Sequence, residues 1–92
     1  MTKVVIADSG TKEQIANWHD FGIRYELDVV MPSTPDEEEL FRLLPDAEVL
    51  VTQKVTIDER IMNAAPKLRL IQKMGSRADN IDLEAAKRRR IN

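Results

Sequence analysis

The chain has 92 residues, 42% of them apolar and 33% charged, with no cysteine and a formal net charge of −2. That is the make-up of one small folded domain with a single core, not of a disordered chain. It excludes disulfides and thiolate metal sites, and no apolar run approaches the roughly 18 residues needed to span a bilayer.

Lys3-Val4-Val5-Ile6-Ala7 is a short β-branched run and predicts a buried strand, broken by Asp8-Ser9-Gly10. Thr11 then caps a helix whose apolar positions are Ile15, Trp18 and Phe21, with Gly22 as its expected end. A second strand is expected within Ile23 to Val30. Thr34-Pro35-Asp36-Glu37 reads as a capping box with threonine as the cap, opening a helix with the stripe Leu40, Phe41 and Leu44 that stops at Pro45. Glu37 to Glu39 in its first turn suit the helix dipole and need no catalytic role.

Ala47 to Val51 predicts a third strand. Thr56-Ile57-Asp58-Glu59 repeats the capping box before a helix buried through Ile57, Ile61, Ala64 and Ala65 and ended at Pro66. Leu68 to Met74 predicts a fourth strand, with a loop at Gly75. Asp82 caps a last helix that buries Ala85 and Ala86 and carries Lys87-Arg88-Arg89-Arg90 at its negative end. Strands alternating with helices imply an α/β fold, with a parallel sheet covered on both faces and right-handed crossovers. Only Ile91 and Asn92 stand where a fifth strand is expected.

Charge is uneven along this order. Residues 1–53 carry a net of −7 and residues 54–92 a net of +5. Such a split suits nucleic-acid binding or merely solvated helix faces. The basic run at the end has no aromatic platform beside it, so nucleic acid is disfavoured. His19 is the one histidine, and no partner or orienting group stands at a readable spacing, so no catalytic residue is assigned. Asp8-Ser9-Gly10-Thr11 lies at the expected switch point, where a flavodoxin would hold its flavin, but it lacks a glycine-rich cradle and a helix cap explains it. A phosphorylated receiver domain would want an aspartate where Thr52-Gln53 stands.

Val55 to Glu59, Ala64 to Leu68, Ile71, Gly75 and above all Asp79-Asn80-Ile81-Asp82-Leu83-Glu84-Ala85-Ala86 resemble the D-isomer-specific 2-hydroxyacid dehydrogenases. Phosphoglycerate dehydrogenase and hydroxypyruvate reductase are members. The resemblance is specific from about Ala47 onward. It implies a flavodoxin-like three-layer unit with strand order 2-1-3-4 and the fifth strand missing. Residues 1–92 would then be a single, incomplete substrate-binding domain without the dinucleotide-binding domain. NAD is implied for the full-length family and none for this chain alone, since it has no Gly-x-Gly-x-x-Gly.

The resemblance also implies that Gly75, Ser76 and Arg77 present main-chain N–H groups to the carboxylate of a 2-hydroxy or 2-oxo acid, with Thr52 and Gln53 nearby. Two positions depart from the family pattern. Arg77 stands in place of a second loop glycine, either strained or itself a carboxylate ligand, and Arg90 replaces a helix-ending glycine, so the path beyond it is open. Thr52-Gln53-Lys54 does not reproduce an arginine that many members carry there. The reading is thus the substrate-binding portion of an NAD-dependent oxidoreductase of D-2-hydroxy acids, inactive alone. It is cytoplasmic by default, with no membrane segment or metal site, and a homodimer joined through the unpaired fourth-strand edge or by exchange of the C-terminal helix. The alternative is a stand-alone flavodoxin-like module that binds an anion or a partner chain without catalysis.

Overall fold

The computed structural model describes residues 1–75 and 79–92. The order is β1 (Thr2–Ile6), α1 (Lys12–Arg24), β2 (Leu27–Val30), α2 (Glu37–Leu43), β3 (Val49–Thr52), α3 (Glu59–Ala64), β4 (Leu70–Lys73) and α4 (Leu83–Arg88). The strands form one parallel sheet in the order β2-β1-β3-β4, the expected α/β arrangement. Register follows Val4 beside Val29 and Val49, and Val49 beside Leu70.

Alternation along the strands divides the core between the two faces of the sheet. Val5, Ala7 and Leu50 join Leu40, Leu44, Ile57, Ile61, Met62, Ala85 and Ala86, so α2, α3 and α4 cover one face. Val4, Ile6, Val29 and Val51 face the other way, against Trp18 of α1. The aromatic row continues with Phe21 of α1 and Tyr25 at its C-cap, whose ring centroids stand 4.8 Å apart.

The helix starts differ from the sequence reading in an instructive way. Asp36, not Thr34, caps α2, accepting from Glu38 N at 3.1 Å. Asp58, not Thr56, caps α3, accepting from Ile61 N at 3.2 Å. Thr34 is held in the preceding loop, donating to Glu39 Oε2 at 3.0 Å, while Ser33 N and its hydroxyl also bind Glu39. Those donors hold the Glu39 carboxyl below its ordinary pKa, the Ser33 N–H contributing most. Ile57 is taken up in an isolated bridge with Ile81, so α3 cannot begin before Asp58. Asp36→Ala and Asp58→Ala are each expected to cost about 1 kcal/mol, and Thr56→Ala a small fraction of that. A urea midpoint that falls for Thr56→Ala and not for Asp58→Ala would reverse this assignment.

Three further differences are local. Gly22 does not end α1, which continues to Arg24; Tyr25 N reaches Phe21 O at 3.2 Å and Glu26 turns the chain at φ 59°. The second strand therefore begins at Leu27, four residues later than the earliest point expected. At the other end Arg90 adopts φ 57°, the left-handed conformation that glycine takes more easily. Arg90 N binds Lys87 O and Ile91 N binds Ala86 O at 2.9 Å, a Schellman closure that tucks Ile91 into the core. The arginine thus makes the turn, at roughly 1 to 2 kcal/mol of backbone strain. Asn92 then lies along β4, its N–H on Arg69 O and its carbonyl accepting from Ile71 N at 2.8 Å.

The basic run also has structural occupations. Arg88 pairs with Glu59, and Arg89 donates to Asn63 Oδ1, so two of its cations tie α4 to α3. No described helix is long and apolar enough to cross a membrane.

Candidate functional site

The carboxyl ends of β1, β3 and β4 lie side by side, and three loops leave from them. Strand β4 extends its ladder one residue beyond Lys73, with Met74 N donating to Thr52 O at 2.8 Å. Gly75 then turns away at φ 120°, a conformation that L side chains rarely adopt. A Cβ there would meet nothing closer than Lys73 Cε at 3.9 Å. Glycine is required by backbone conformation, not by lack of space. Ser76 and Arg77, two of the expected carboxylate-binding residues, lie outside the described residues.

Thr52 and Gln53 occupy different levels of the site. Thr52 is fully buried, and its hydroxyl donates to Val55 O at 2.7 Å. It supports the mouth from behind and offers no free hydroxyl to a ligand. Gln53 and Lys54 are exposed at the mouth. Their main-chain donors are taken: Gln53 N binds Asp8 Oδ2 at 2.7 Å, and Lys54 N and Val55 N bind Asp8 Oδ1 at 3.0 and 3.3 Å.

Asp8, Lys73 and Asn80 are site-forming residues to which the sequence reading gave no role in the site. Lys73 Nζ donates to Gln53 O, bringing a cation to the end of β3. Asn80 Nδ2 donates to Val55 O at 2.8 Å and so joins the β4–α4 loop to the β3–α3 turn. Its Oδ1 is buried with no partner among the described residues. Ile57 N also binds Asn80 O at 2.7 Å, and Asp82 N binds Ile57 O at 2.9 Å. A hint of this existed in sequence, because Lys73 ends β4 and Asp8 follows β1 by two residues, both at the sheet's carboxyl edge. The partners, however, lie 20 and about 45 residues away along the chain.

The mouth therefore combines an exposed glutamine, two lysines and a glycine turn, which suits binding of a small anion. His19 lies exposed on α1 and takes part in none of the described hydrogen bonds, so it forms no acid–base pair there. Among the described residues no group of three or more His, Asp or Glu side chains is placed to hold a metal ion. At the β1–α1 turn, Thr11 and Gln14 close a reciprocal capping box on the helix start, Thr11 Oγ1 accepting at 3.1 Å and Gln14 Oε1 at 2.8 Å. Gly10, the turn's single glycine, packs on Met31, where an added Cβ would lie 2.5 Å from Sδ. Gly10 N, Thr11 N and Gln14 N are therefore occupied, by Pro32 O, Gln14 Oε1 and Thr11 Oγ1, and those three donors are not open to a pyrophosphate.

The model of the D-isomer-specific 2-hydroxyacid dehydrogenase catalytic domain matches residues 4–92. Among curated proteins, D-3-phosphoglycerate dehydrogenase of Mycobacterium bovis is 32% identical over 89 residues, covering 96% of this chain and 16% of the relative. The Homo sapiens protein of the same name is 43% identical over 68 residues, 71% of this chain and 12% of the relative. The chain thus spans about a sixth of the length of the first of these. NAD+-bound 3-phosphoglycerate dehydrogenase of Entamoeba histolytica superposes with a TM-score of 0.79 at 25% identity, over 98% of this chain and 31% of that one.

Proposed function

Because the chain belongs to the D-isomer-specific 2-hydroxyacid dehydrogenase family, through its catalytic domain, we propose that it is the substrate-holding part of an NAD-dependent oxidoreductase of D-2-hydroxy and 2-oxo acids. The observation that carries this reading is the glycine turn at φ 120° on the carboxyl edge of the sheet, within the matched residues. Main-chain donors of Gly75, Ser76 and Arg77 take the substrate carboxylate, Gln53 stands beside it, and Thr52 braces the floor. Lys54 and Lys73 supply positive charge at the same edge. NAD receives or gives the hydride in the family reaction, and we assign its binding outside residues 1–92, which contain no Gly-x-Gly-x-x-Gly. The 92 residues alone then bind the acid without turning it over.

NMR titration of the 92-residue chain with D-glycerate is expected to shift the amides of Gly75 to Arg77 and the side chain of Gln53. Gly75→Val should abolish the shifts, since valine cannot hold that φ, while Ser76→Ala should leave most of them. NADH is expected to move no set of amides at micromolar concentration. Shifts confined to Lys87 to Arg90 would place the anion on the basic run and defeat the reading.

The proposal extends to association. Asn92 covers β4 only beside Arg69 and Ile71, and the rest of that edge has no strand beside it among the described residues. Open edges of this kind recruit a further strand. The 92-residue chain is expected to form a homodimer through β4, with Arg69 and Lys73 limiting further growth. Light scattering that reads a monomer at high concentration would rule this out.

A further inference from the structure

The β3–α3 turn is held from three sides by groups remote in sequence. Asp8 reaches it from the end of β1 and accepts three consecutive main-chain N–H groups, at 2.7, 3.0 and 3.3 Å. Lys73 takes the Gln53 carbonyl from the end of β4. Thr52 Oγ1 and Asn80 Nδ2 both donate to the Val55 carbonyl, at 2.7 and 2.8 Å. Few of the turn's polar main-chain groups are left to solvent, yet the side chains of Gln53 and Lys54 remain exposed.

Three successive N–H groups converging on one carboxylate form an anion nest. In a substrate mouth such a nest would compete for the ligand's own carboxylate, because charge-assisted bonds to main-chain donors are strong ones. Here an internal side chain already fills it. Asp8 and Lys73 follow or end the two strands that flank β3, and both engage Gln53, the carboxylate at its N–H and the ammonium at its carbonyl. Removing Asp8 would leave the three donors open and the turn tied only through its carbonyls.

Building on the proposed function above, we propose that Asp8 is a positioning residue for the substrate site. By filling the Gln53–Val55 nest it fixes the Gln53 and Lys54 side chains toward the mouth and leaves the Gly75 loop as the place where an external carboxylate binds. Asp8 does not itself touch the substrate.

The test pairs a nest readout with a substrate readout. In Asp8→Ala, the amide resonances of Gln53, Lys54 and Val55 are expected to move and lose exchange protection. Added formate should enter the vacated nest and return those three resonances toward their wild-type positions, with a rise in Tm. Neither effect of formate is expected in Asp46→Ala, which removes a carboxylate paired with Lys3 at the other end of the sheet. D-glycerate, titrated in the absence of formate, should bind Asp8→Ala about tenfold more weakly. Should Asp8→Ala not fold, Asp8→Asn keeps the shape with one acceptor oxygen instead of two and should show the same shifts in milder form. Unmoved amides in both variants, or formate acting equally on Asp46→Ala, would overturn the nest. Undiminished D-glycerate binding beside a responsive nest would overturn the positioning role alone. Absence of D-glycerate binding in the wild type, with the nest responding, would remove the substrate reading and the positioning role with it, leaving Asp8 a loop anchor.

Discussion

Ile57→Ala is expected to lower stability by about 3 to 4 kcal/mol, within the range for emptying a buried isoleucine site. Ile57 is fully buried, packed with Val5, Leu50 and Ile61 in the larger core. Truncation removes three carbons from that packing, and the bridge with Ile81 restrains the backbone from closing the gap. A domain of this size has of order 5 to 10 kcal/mol to lose, so the variant should give up about a third or more of its stability. The effect should also reach the mouth, because Ile57 N and O hold Asn80 O and Asp82 N. Urea denaturation gives the stability change, and amide shifts of Asn80 and Gly75 report the transmitted one. By comparison Leu83→Ala, at a site 61% exposed, should fall within about 0.5 kcal/mol of the wild type. Equal midpoints for the two variants would mean that Ile57 does not anchor this core.

The order of elements was legible because the strands announce themselves locally. Val4-Val5-Ile6 and Val49-Leu50-Val51 are β-branched or apolar on both faces, as strands inside a covered parallel sheet must be. The strand order 2-1-3-4 came with the family resemblance, and the sheet carries it. Helix starts were less legible. Thr34-Pro35-Asp36 and Thr56-Ile57-Asp58 each offer two capping side chains two residues apart, and either can accept from an N–H. What decides between them lies outside the capping motif: Glu39, five residues on, holds Thr34 in the loop, and the distant Ile81 draws Ile57 into a bridge. The site shows the same limit. Gly75 was readable because a glycine ending a strand has few local explanations, and its φ of 120° supplies one. Asp8 was not, since an aspartate between a strand and a helix reads equally as part of a helix start. Its three donors arrive from the other side of the sheet's midpoint, and no spacing rule connects them.

The strongest backbone-level test lies at Gly22, which sequence alone reads as a stop. An exposed mid-helix glycine replaced by alanine normally gains about 1 kcal/mol, through lower backbone entropy in the unfolded chain. Gly22 is buried within α1, on the face toward β2. A Cβ there would come within 2.5 Å of Leu27 O and 2.9 Å of Val29 Cγ2. The first contact is with backbone of the strand that α1 feeds, so no side-chain rotation relieves it. The helix must lift from the sheet, and Trp18, four residues earlier on the helix, would lift away from Val4 and Val29 with it. Gly22→Ala should therefore reverse the usual sign and destabilise by about 1 to 2 kcal/mol, while Gly22→Val, bulkier at the same contact, should lose about 3 kcal/mol or more. Asn17→Ala on the exposed side of α1 provides the internal comparison and should be neutral or mildly stabilising. Thermal and urea unfolding, followed by Trp18 fluorescence, would report both the loss and its place. If Gly22→Ala instead stabilised the chain to the extent that Asn17→Ala does, α1 would not seat on β2 through this glycine.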